Sequence, residues 1–157
     1  MPPELFDAAN YSLNPYAIPT LMTGVAIIAL GFIVLVGERN SRVSLSFFIM
    51  TVTAAIWLFC YSVMYCALAV PVASAWAVMG QLGIISIPAA VYHFTVRTLA
   101  IYSKHKTRVW LAWLVSSFFL VTALYGDAFI TGVNRFWWVI MLVTSGRAYP
   151  FLVFSSA

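Results

Sequence analysis

The sequence predicts an all-α integral membrane protein, a bundle of at least four transmembrane helices joined by short loops. Of its 157 residues, 64% are hydrophobic and only 8% are charged, whereas a soluble domain has about 25% charged residues. Long runs without a charge alternate with short polar turns. A chain of this composition has more apolar surface than a soluble fold can bury, and exposing this surface to water is unfavourable. A lipid bilayer is the solvent in which this surface is stable.

The apolar runs predict spans at about residues 17 to 36, 43 to 70, 75 to 102 and 109 to 125 of a single transmembrane domain, residues 1 to 157. The first has twenty residues without a charge, which at about 1.5 Å per residue cross a hydrocarbon core of about 30 Å. Pro88 predicts a kink in the third span. Residues 126 to 138 read as an outer loop, and residues 148 to 157 as the stub of a possible fifth span.

Basic residues are concentrated on one side of the predicted bundle, at the turns 37 to 42 and 103 to 108. Positively charged loops are retained in the cytoplasm. We therefore expect these turns inside and the N-terminus and the loop 126 to 138 outside. The membrane-surface anchors on the inner side are Arg39, Arg42, Arg97, Lys104, Lys106 and Arg108.

The sequence offers no recognisable catalytic machinery. It has no Gly-rich phosphate loop, no pair of carboxylates within one segment, and no Ser, His and Asp set outside the predicted spans. Cys60 and Cys66 show no metal-ligand spacing with either histidine. The basic residues lie between apolar runs and do not form the cationic face that nucleic acid requires. We expect no enzyme, no metal, no cofactor and no nucleic-acid partner.

Polar and aromatic residues recur at helical spacing on the second and third spans. The second carries Thr53, Trp57, Tyr61 and Met64, and the third carries Gln81, Pro88, Tyr92 and Thr95. Packing between helices explains both stripes. The alternative is a ligand pocket that opens outward between the two helices. The candidate pocket residues are Trp57, Tyr61, Tyr65, Gln81, Tyr92 and His93.

His93 and Arg97 are four residues apart and share a helix face. An ionisable residue within a membrane suggests function by default. Arg97, however, is close enough to the end of its span to extend its side chain to the surface as an anchor. For His93, a hydrogen bond to a neighbouring helix and a proton-sensing or ligand-binding role are both open.

Several short motifs follow one another in a fairly specific order. They are Asn14-Pro15-Tyr16-Ala17-Ile18-Pro19, then Arg39-Asn40-Ser41-Arg42-Val43 with Ser46-Phe47-Phe48, then Ala55-Ile56-Trp57-Leu58 with Tyr61 and Met64-Tyr65, and finally Ile87-Pro88-Ala89-Ala90-Val91-Tyr92-His93-Phe94. Over about residues 12 to 135, the chain resembles the N-terminal seven-transmembrane region of membrane histidine kinases.

The resemblance implies a sensory input module in a bacterial inner membrane, with kinase or cyclase output domains further along the chain. The tail from Gly146 would lead into a fifth helix, so we expect either a piece of a longer protein or a shortened relative. The expected partners are the lipid bilayer and other transmembrane helices, from downstream sequence, a homodimer or a larger complex. The competing interpretation is a small structural or accessory subunit of a respiratory or photosynthetic complex.

Overall fold

A computed structural model of the protein describes residues 5, 7 to 38, 41 to 125, 132 to 135 and 140 to 143. Its four helices are α1 (Ala17–Gly37), α2 (Arg42–Cys66), α3 (Val70–Thr98) and α4 (Tyr102–Tyr125). By length and composition, α1, α2 and α3 are each able to cross a membrane. The prediction of a helical multi-pass membrane protein is confirmed, and the crossing of α4 stays a prediction. The predicted stub at residues 148 to 157 lies outside the described residues.

Several predicted span ends are wrong by a few residues. The second span ends at Cys66, not at about residue 70, and the third begins at Val70, not at 75. Pro71 lies in the first turn of α3, where its missing N–H disrupts no helical hydrogen bond. Residues 103 to 108, predicted as a turn, belong to α4, because Lys and Arg are good helix formers.

A short antiparallel hairpin, which the sequence analysis did not predict, follows the helices. Strand β1 (Gly132–Arg135) pairs with β2 (Ile140–Val143), so that Gly132 is opposite Val143, and both strands contact α3. Residues 126 to 138 had been predicted as a loop. Strand β2, Ile-Met-Leu-Val, is apolar throughout, and such a short apolar run cannot be distinguished from a helix segment by its periodicity.

Each helix packs mainly on its neighbours in the sequence, α1 on α2, α2 on α3 and α3 on α4. Glycines bring the helix backbones close together. A Cβ atom at Gly31 of α1 would overlap the Thr51 side chain of α2, and one at Gly83 of α3 would lie 2.8 Å from Trp57 Cβ. Small residues at helix interfaces permit this close approach in membranes, where van der Waals packing holds helices together.

The two ends of the bundle differ in composition. The end that holds the α1–α2 and α3–α4 turns carries Arg42, Arg97 and the basic first turns of α4, and we call it the cationic end. At the opposite end, the segment before α1 crosses the α2–α3 turn. The Ser12 amide donates to the Cys66 carbonyl and the Leu68 amide to the Asn10 carbonyl, each at 2.8 Å. We call this the capped end.

Side chains fasten the segment before α1 at the capped end. Asn14 Nδ2 donates to the Tyr65 carbonyl at 3.0 Å, and Trp76 Nε1 donates to the Tyr11 hydroxyl at 2.8 Å. Beneath them lies the buried core of the capped end, which consists of Met64, Ala67, Val72, Ala73 and Ala77. These bonds hold the α2–α3 pair together at this end, so the two helices and the segment before α1 form one packed unit.

Candidate functional site

The aromatic stripe predicted on the second span is confirmed as a packed face. Trp57, Tyr61 and Tyr65 form an edge-to-face ladder along α2, with ring centroids 5.9 Å and 6.4 Å apart. The α3 backbone covers this ladder, because a Cβ atom at Gly80 would lie 2.8 Å from the Tyr61 ring. The structure therefore brings three of the six predicted pocket residues onto one face, against the glycines of α3.

The polar stripe predicted on the third span is exposed at two of its four residues. Pro88 and Thr95 are exposed, and the Thr95 hydroxyl donates to the Val91 carbonyl of its own helix at 2.9 Å. A hydroxyl satisfied in this way needs no neighbouring helix. Gln81 and Tyr92, the other predicted pocket residues of this stripe, are half-buried. The buried face of α3 is made of small residues instead, including Ala73, Ala77, Gly80, Gly83 and Ala90.

His93, the sixth predicted pocket residue, lies at the cationic end, in a group that we call the His93 cluster: His93, Arg97 and Tyr102. Arg97 Nε donates to His93 Nε2 at 3.4 Å. The Arg97 guanidinium carbon lies 3.4 Å from the centre of the Tyr102 ring, and the His93 and Tyr102 rings are 5.7 Å apart. A cation over an aromatic face is attracted by the ring's quadrupole. The predicted shared face of His93 and Arg97 is confirmed, and Tyr102 completes it.

The hydrogen bond from Arg97 defines the state of the His93 ring. A guanidinium only donates, so His93 Nε2 must accept, and the proton of the neutral ring lies on Nδ1. Within the described part of the chain, His93 Nδ1 is buried without a hydrogen-bond partner. Leaving a buried donor unsatisfied costs about 1–3 kcal/mol. This cost favours an acceptor that the described residues do not supply.

Trp57 Nε1 is the other buried side-chain nitrogen without a hydrogen bond of good geometry in the described residues. Tyr61, its neighbour in the aromatic ladder, lies close enough for a weak polar interaction with the Trp57 side chain. The contact between the two rings is edge-to-face and not an aligned hydrogen bond. Gly83 of α3 packs against the Trp57 backbone and Cβ, so Trp57 belongs to the α2–α3 interface.

The turn that brings Tyr102 over Arg97 is strained. Ala100 has a φ of 56°, in the left-handed region that glycine usually occupies at a helix end. The Ala100 amide donates to the Arg97 carbonyl and the Ile101 amide to the Val96 carbonyl, at 3.1 Å and 3.2 Å. This conformation costs a residue with a Cβ atom about 1–2 kcal/mol. Strain of this kind clusters at functional sites.

A cavity of about 380 Å³ opens beside His93, between α2, α3 and α4. Its other lining residues are Ile49, Val109, Trp110 and Trp113, so His93 supplies its polar group. Small-molecule sites begin at about 300 Å³. The α4 wall was not predicted from the sequence, although helical spacing places Trp110 and Trp113 on the same face as Tyr102. A second cavity, of about 300 Å³, lies between α1 and α2 and is lined by apolar side chains.

The predicted anchors fall into two groups. Arg42, Lys104, Lys106 and Arg108 are exposed at the cationic end, and Arg39 lies outside the described residues. Arg97 is half-buried and stacks on Tyr102, so it is part of the cluster and not a freely extended anchor. Within the described part of the chain, Arg97 forms no ion pair with a carboxylate. Its charge is therefore available to an anion.

The described residues offer no obvious metal centre, because no three of their His, Cys, Asp and Glu side chains lie together. What the His93 cluster does offer is a buried donor on the wall of an otherwise apolar cavity, with the Arg97 cation hydrogen-bonded to the same ring. Compared with known protein families, with curated proteins and with solved structures, the chain matches none.

Proposed function

We propose that the chain is the membrane-embedded sensory module of a signal-transduction protein of the histidine-kinase type, and that it is not itself catalytic. The His93 cluster is the observation that carries this proposal. A half-buried cation and a strained turn lie next to a buried donor that has no acceptor among the described residues, and the ring of that donor, His93, lines a cavity. Ionisable groups within a membrane are expensive, so their presence there argues for a role beyond helix packing.

The geometry of the cluster suits binding better than proton transfer. His93 Nε2 already accepts from Arg97, so the neutral ring has no second free nitrogen to act as a general base. The remaining groups, His93 Nδ1–H and the guanidinium, are donors. A site of donors beside an apolar wall binds and orients an anion or an oxygen-rich group without transforming it.

A bound ligand can act through the position of α4. The α2–α3 pair is held by glycine contacts and by the capped end, whereas the cavity is walled by α4 on one side. Among the described residues, α4 is tied to α3 by the hydrogen bond from Ser116 Oγ to the Ile85 carbonyl at 2.6 Å and by the stacking of Arg97 on Tyr102. A ligand shifts such an arrangement only if it binds one position of α4 more tightly than another. We propose that α4 moves against a fixed α2–α3 pair.

The competing function is a structural or accessory subunit, favoured by the apolar outer surface of α4. Trp110, Leu114 and Phe118 are 66%, 66% and 63% exposed, a surface that either lipid or another subunit can cover. A permanent subunit buries roughly 2,000 Å² or more against its partners. The two functions therefore differ in whether α4 moves and in what accompanies the protein in its membrane.

Distances between spin labels test the proposed movement. One pair of labels is placed at exposed positions on the outermost helices, Leu30→Cys on α1 and Leu114→Cys on α4, after replacement of Cys60 and Cys66 by alanine. A matched control pair, Leu45→Cys and Val91→Cys, reports on α2 and α3. Pulsed electron-spin measurements are made in nanodiscs of native lipid extract and of phosphatidylcholine alone.

A sensory module gives two α1–α4 distances whose ratio changes with the membrane, while the α2–α3 distance stays constant. A single α1–α4 distance under both conditions contradicts the proposal. Purification of the native gene product in mild detergent gives a second test. Intact-mass detection of a kinase or cyclase region in the same polypeptide supports the sensor, and stoichiometric recovery within a respiratory or photosynthetic complex supports the subunit.

A further inference from the structure

The geometry points to the ligand class of the His93 cluster: an anionic phospholipid of the adjacent leaflet, with one acyl chain in the cavity. The inference deepens the proposed sensory function and rests on it. Two groups carry it: Arg97, whose guanidinium contacts His93 and Tyr102 but no carboxylate among the described residues, and the His93 Nδ1–H donor, which has no hydrogen-bond partner there. Both call for oxygen acceptors, and one of them calls for a negative charge.

The depths of these groups match the layers of a phospholipid. Arg97 is one residue from the end of α3 at Thr98, and His93 is five, which places them about 1.5 Å and 7.5 Å from the helix end. The Arg97 backbone thus lies at the level of a phosphate, with its guanidinium reaching back toward His93, and the His93 backbone lies at the level of the glycerol esters. Deeper still, Trp110 and Trp113 line the cavity from α4, at the level of the acyl chain.

The surroundings favour an anionic over a zwitterionic headgroup. Lys106 lies on the same face of α4 as Val109 and Trp110, one turn nearer the cationic end, and it is exposed. Guanidinium and ammonium groups bind phosphate oxygens through charge-assisted hydrogen bonds. A choline group would bring a further cation next to Arg97 and Lys106, and like charges repel. A headgroup such as phosphatidylglycerol, with a phosphate and no amine, avoids this repulsion.

The cavity shape suits a chain and not a compact anion. Apart from His93, its walls are Ile49, Val109, Trp110 and Trp113, so a free phosphate in contact with them would lose its hydration without compensation. A lipid places its polar and apolar parts against matching walls. The acyl chain would complete the packing of α4 against α2 and α3, which is how the lipid would favour one position of α4.

Native mass spectrometry of the detergent-solubilised protein tests the inference by titration with phosphatidylglycerol or phosphatidylcholine of the same chain length. Wild type should bind phosphatidylglycerol about tenfold more tightly, about 1.4 kcal/mol, because both lipids offer Arg97 a phosphate but only phosphatidylcholine brings a further cation beside Arg97 and Lys106. Arg97→Gln should abolish this preference. His93→Phe should weaken both lipids by about fivefold, because the glycerol ester is common to both.

Arg42→Gln is the matched control, because it removes the same charge at the same end from an exposed position away from the cavity lining. The preference for phosphatidylglycerol should survive in this variant. Equal loss in Arg42→Gln and Arg97→Gln would overturn the inference, since it indicates diffuse attraction to a basic surface. Absence of a preference in wild type would overturn it as well. Circular dichroism checks that each variant is helical, and Lys106→Gln, which should halve the preference or more, replaces Arg97→Gln if that variant fails to fold.

Quenching of tryptophan fluorescence by lipids brominated on the acyl chain locates the bound chain. A bound brominated chain quenches the fluorescence of Trp113. The part of the quenching that disappears in Trp113→Phe should therefore be larger with brominated phosphatidylglycerol than with brominated phosphatidylcholine. An equal loss with both overturns the assignment. The lipid site and the sensory function can be refuted separately. Selective binding of phosphatidylglycerol together with a single α1–α4 distance supports the lipid site and contradicts the sensory function. Two α1–α4 distances without selective binding keep the sensor and exclude this ligand.

Discussion

Substitution of Gly83 by alanine should loosen the α2–α3 interface more than the same substitution at any other described glycine of α3. The new Cβ would lie 2.5 Å from the Thr53 carbonyl oxygen, 2.7 Å from the Trp57 amide nitrogen and 2.8 Å from Trp57 Cβ. Favourable contacts begin at about 3.5 Å. Two of these neighbours are backbone atoms within a helix and cannot rotate away, so the helices must separate by about 0.7–1 Å.

A gap of that size forfeits about a quarter to a half of the dispersion energy of the atoms that face it. Overpacking of this kind costs about 1–3 kcal/mol, and the better helix propensity of alanine returns about 1 kcal/mol. We expect Gly83→Ala to be destabilised by up to about 2 kcal/mol on balance. The free energy of unfolding is measured by circular dichroism in mixed micelles during titration with sodium dodecyl sulfate.

Two further glycines calibrate this result. At Gly80 the neighbour is the edge of the Tyr61 ring, 2.8 Å away, which is a side chain able to turn, and at Gly37 no atom lies within 4 Å. Destabilisation should therefore decrease from Gly83→Ala to Gly80→Ala, and Gly37→Ala should be neutral or stabilising. If Gly83→Ala unfolds at the same detergent fraction as Gly37→Ala, the close approach of α2 and α3 is refuted.

Two other substitutions test the contacts of α4 and the turn before it. Ser116→Ala removes the hydrogen bond to the Ile85 carbonyl and should lower the free energy of unfolding by about 0.6–1.5 kcal/mol in the same titration. The Ser117 hydroxyl bonds within its own helix, so Ser117→Ala should change little. Equal effects of the two substitutions would show that Ser116 does not hold α4 against α3. Ala100→Gly relieves the left-handed φ of 56° and should stabilise by about 0.5–1 kcal/mol, while Ala26→Gly in the middle of α1 should destabilise. A loss of stability in Ala100→Gly would mean that the turn is not strained.

The sequence was sufficient for the helices because length and apolar composition determine them almost alone. The face of α2 was also predictable, since Thr53, Trp57, Tyr61 and Met64 recur at helical spacing, and all four lie toward α3 in whole or in part. The buried face of α3 was not predictable, because its polar residues were expected to hydrogen-bond to a neighbouring helix. Thr95 bonds to its own helix instead, and glycine and alanine fill the interface.

The candidate site was predicted only in part, and the reason is the turn. His93 and Arg97 share one helix, so their spacing alone brings them together. Tyr102 reaches Arg97 only because α3 ends in a left-handed residue at Ala100. Alanine rarely adopts this conformation, so the sequence does not predict it. Because residues 103 to 108 were expected to form a turn, the start of α4 was placed too late in the chain. Trp110 and Trp113 were therefore not predicted to line a cavity.

Both proposals place the cationic end at the cytoplasmic surface of the membrane, and cysteine labelling of intact cells tests this most directly. Cys60 and Cys66 are replaced by alanine, and single cysteines are introduced by Leu13→Cys at the capped end, where the side chain is 91% exposed, and by His105→Cys at the cationic end. A membrane-impermeant maleimide should label position 13 in intact cells and position 105 only after permeabilisation. Labelling of position 105 from outside would contradict the orientation on which the sensory module and its lipid site depend.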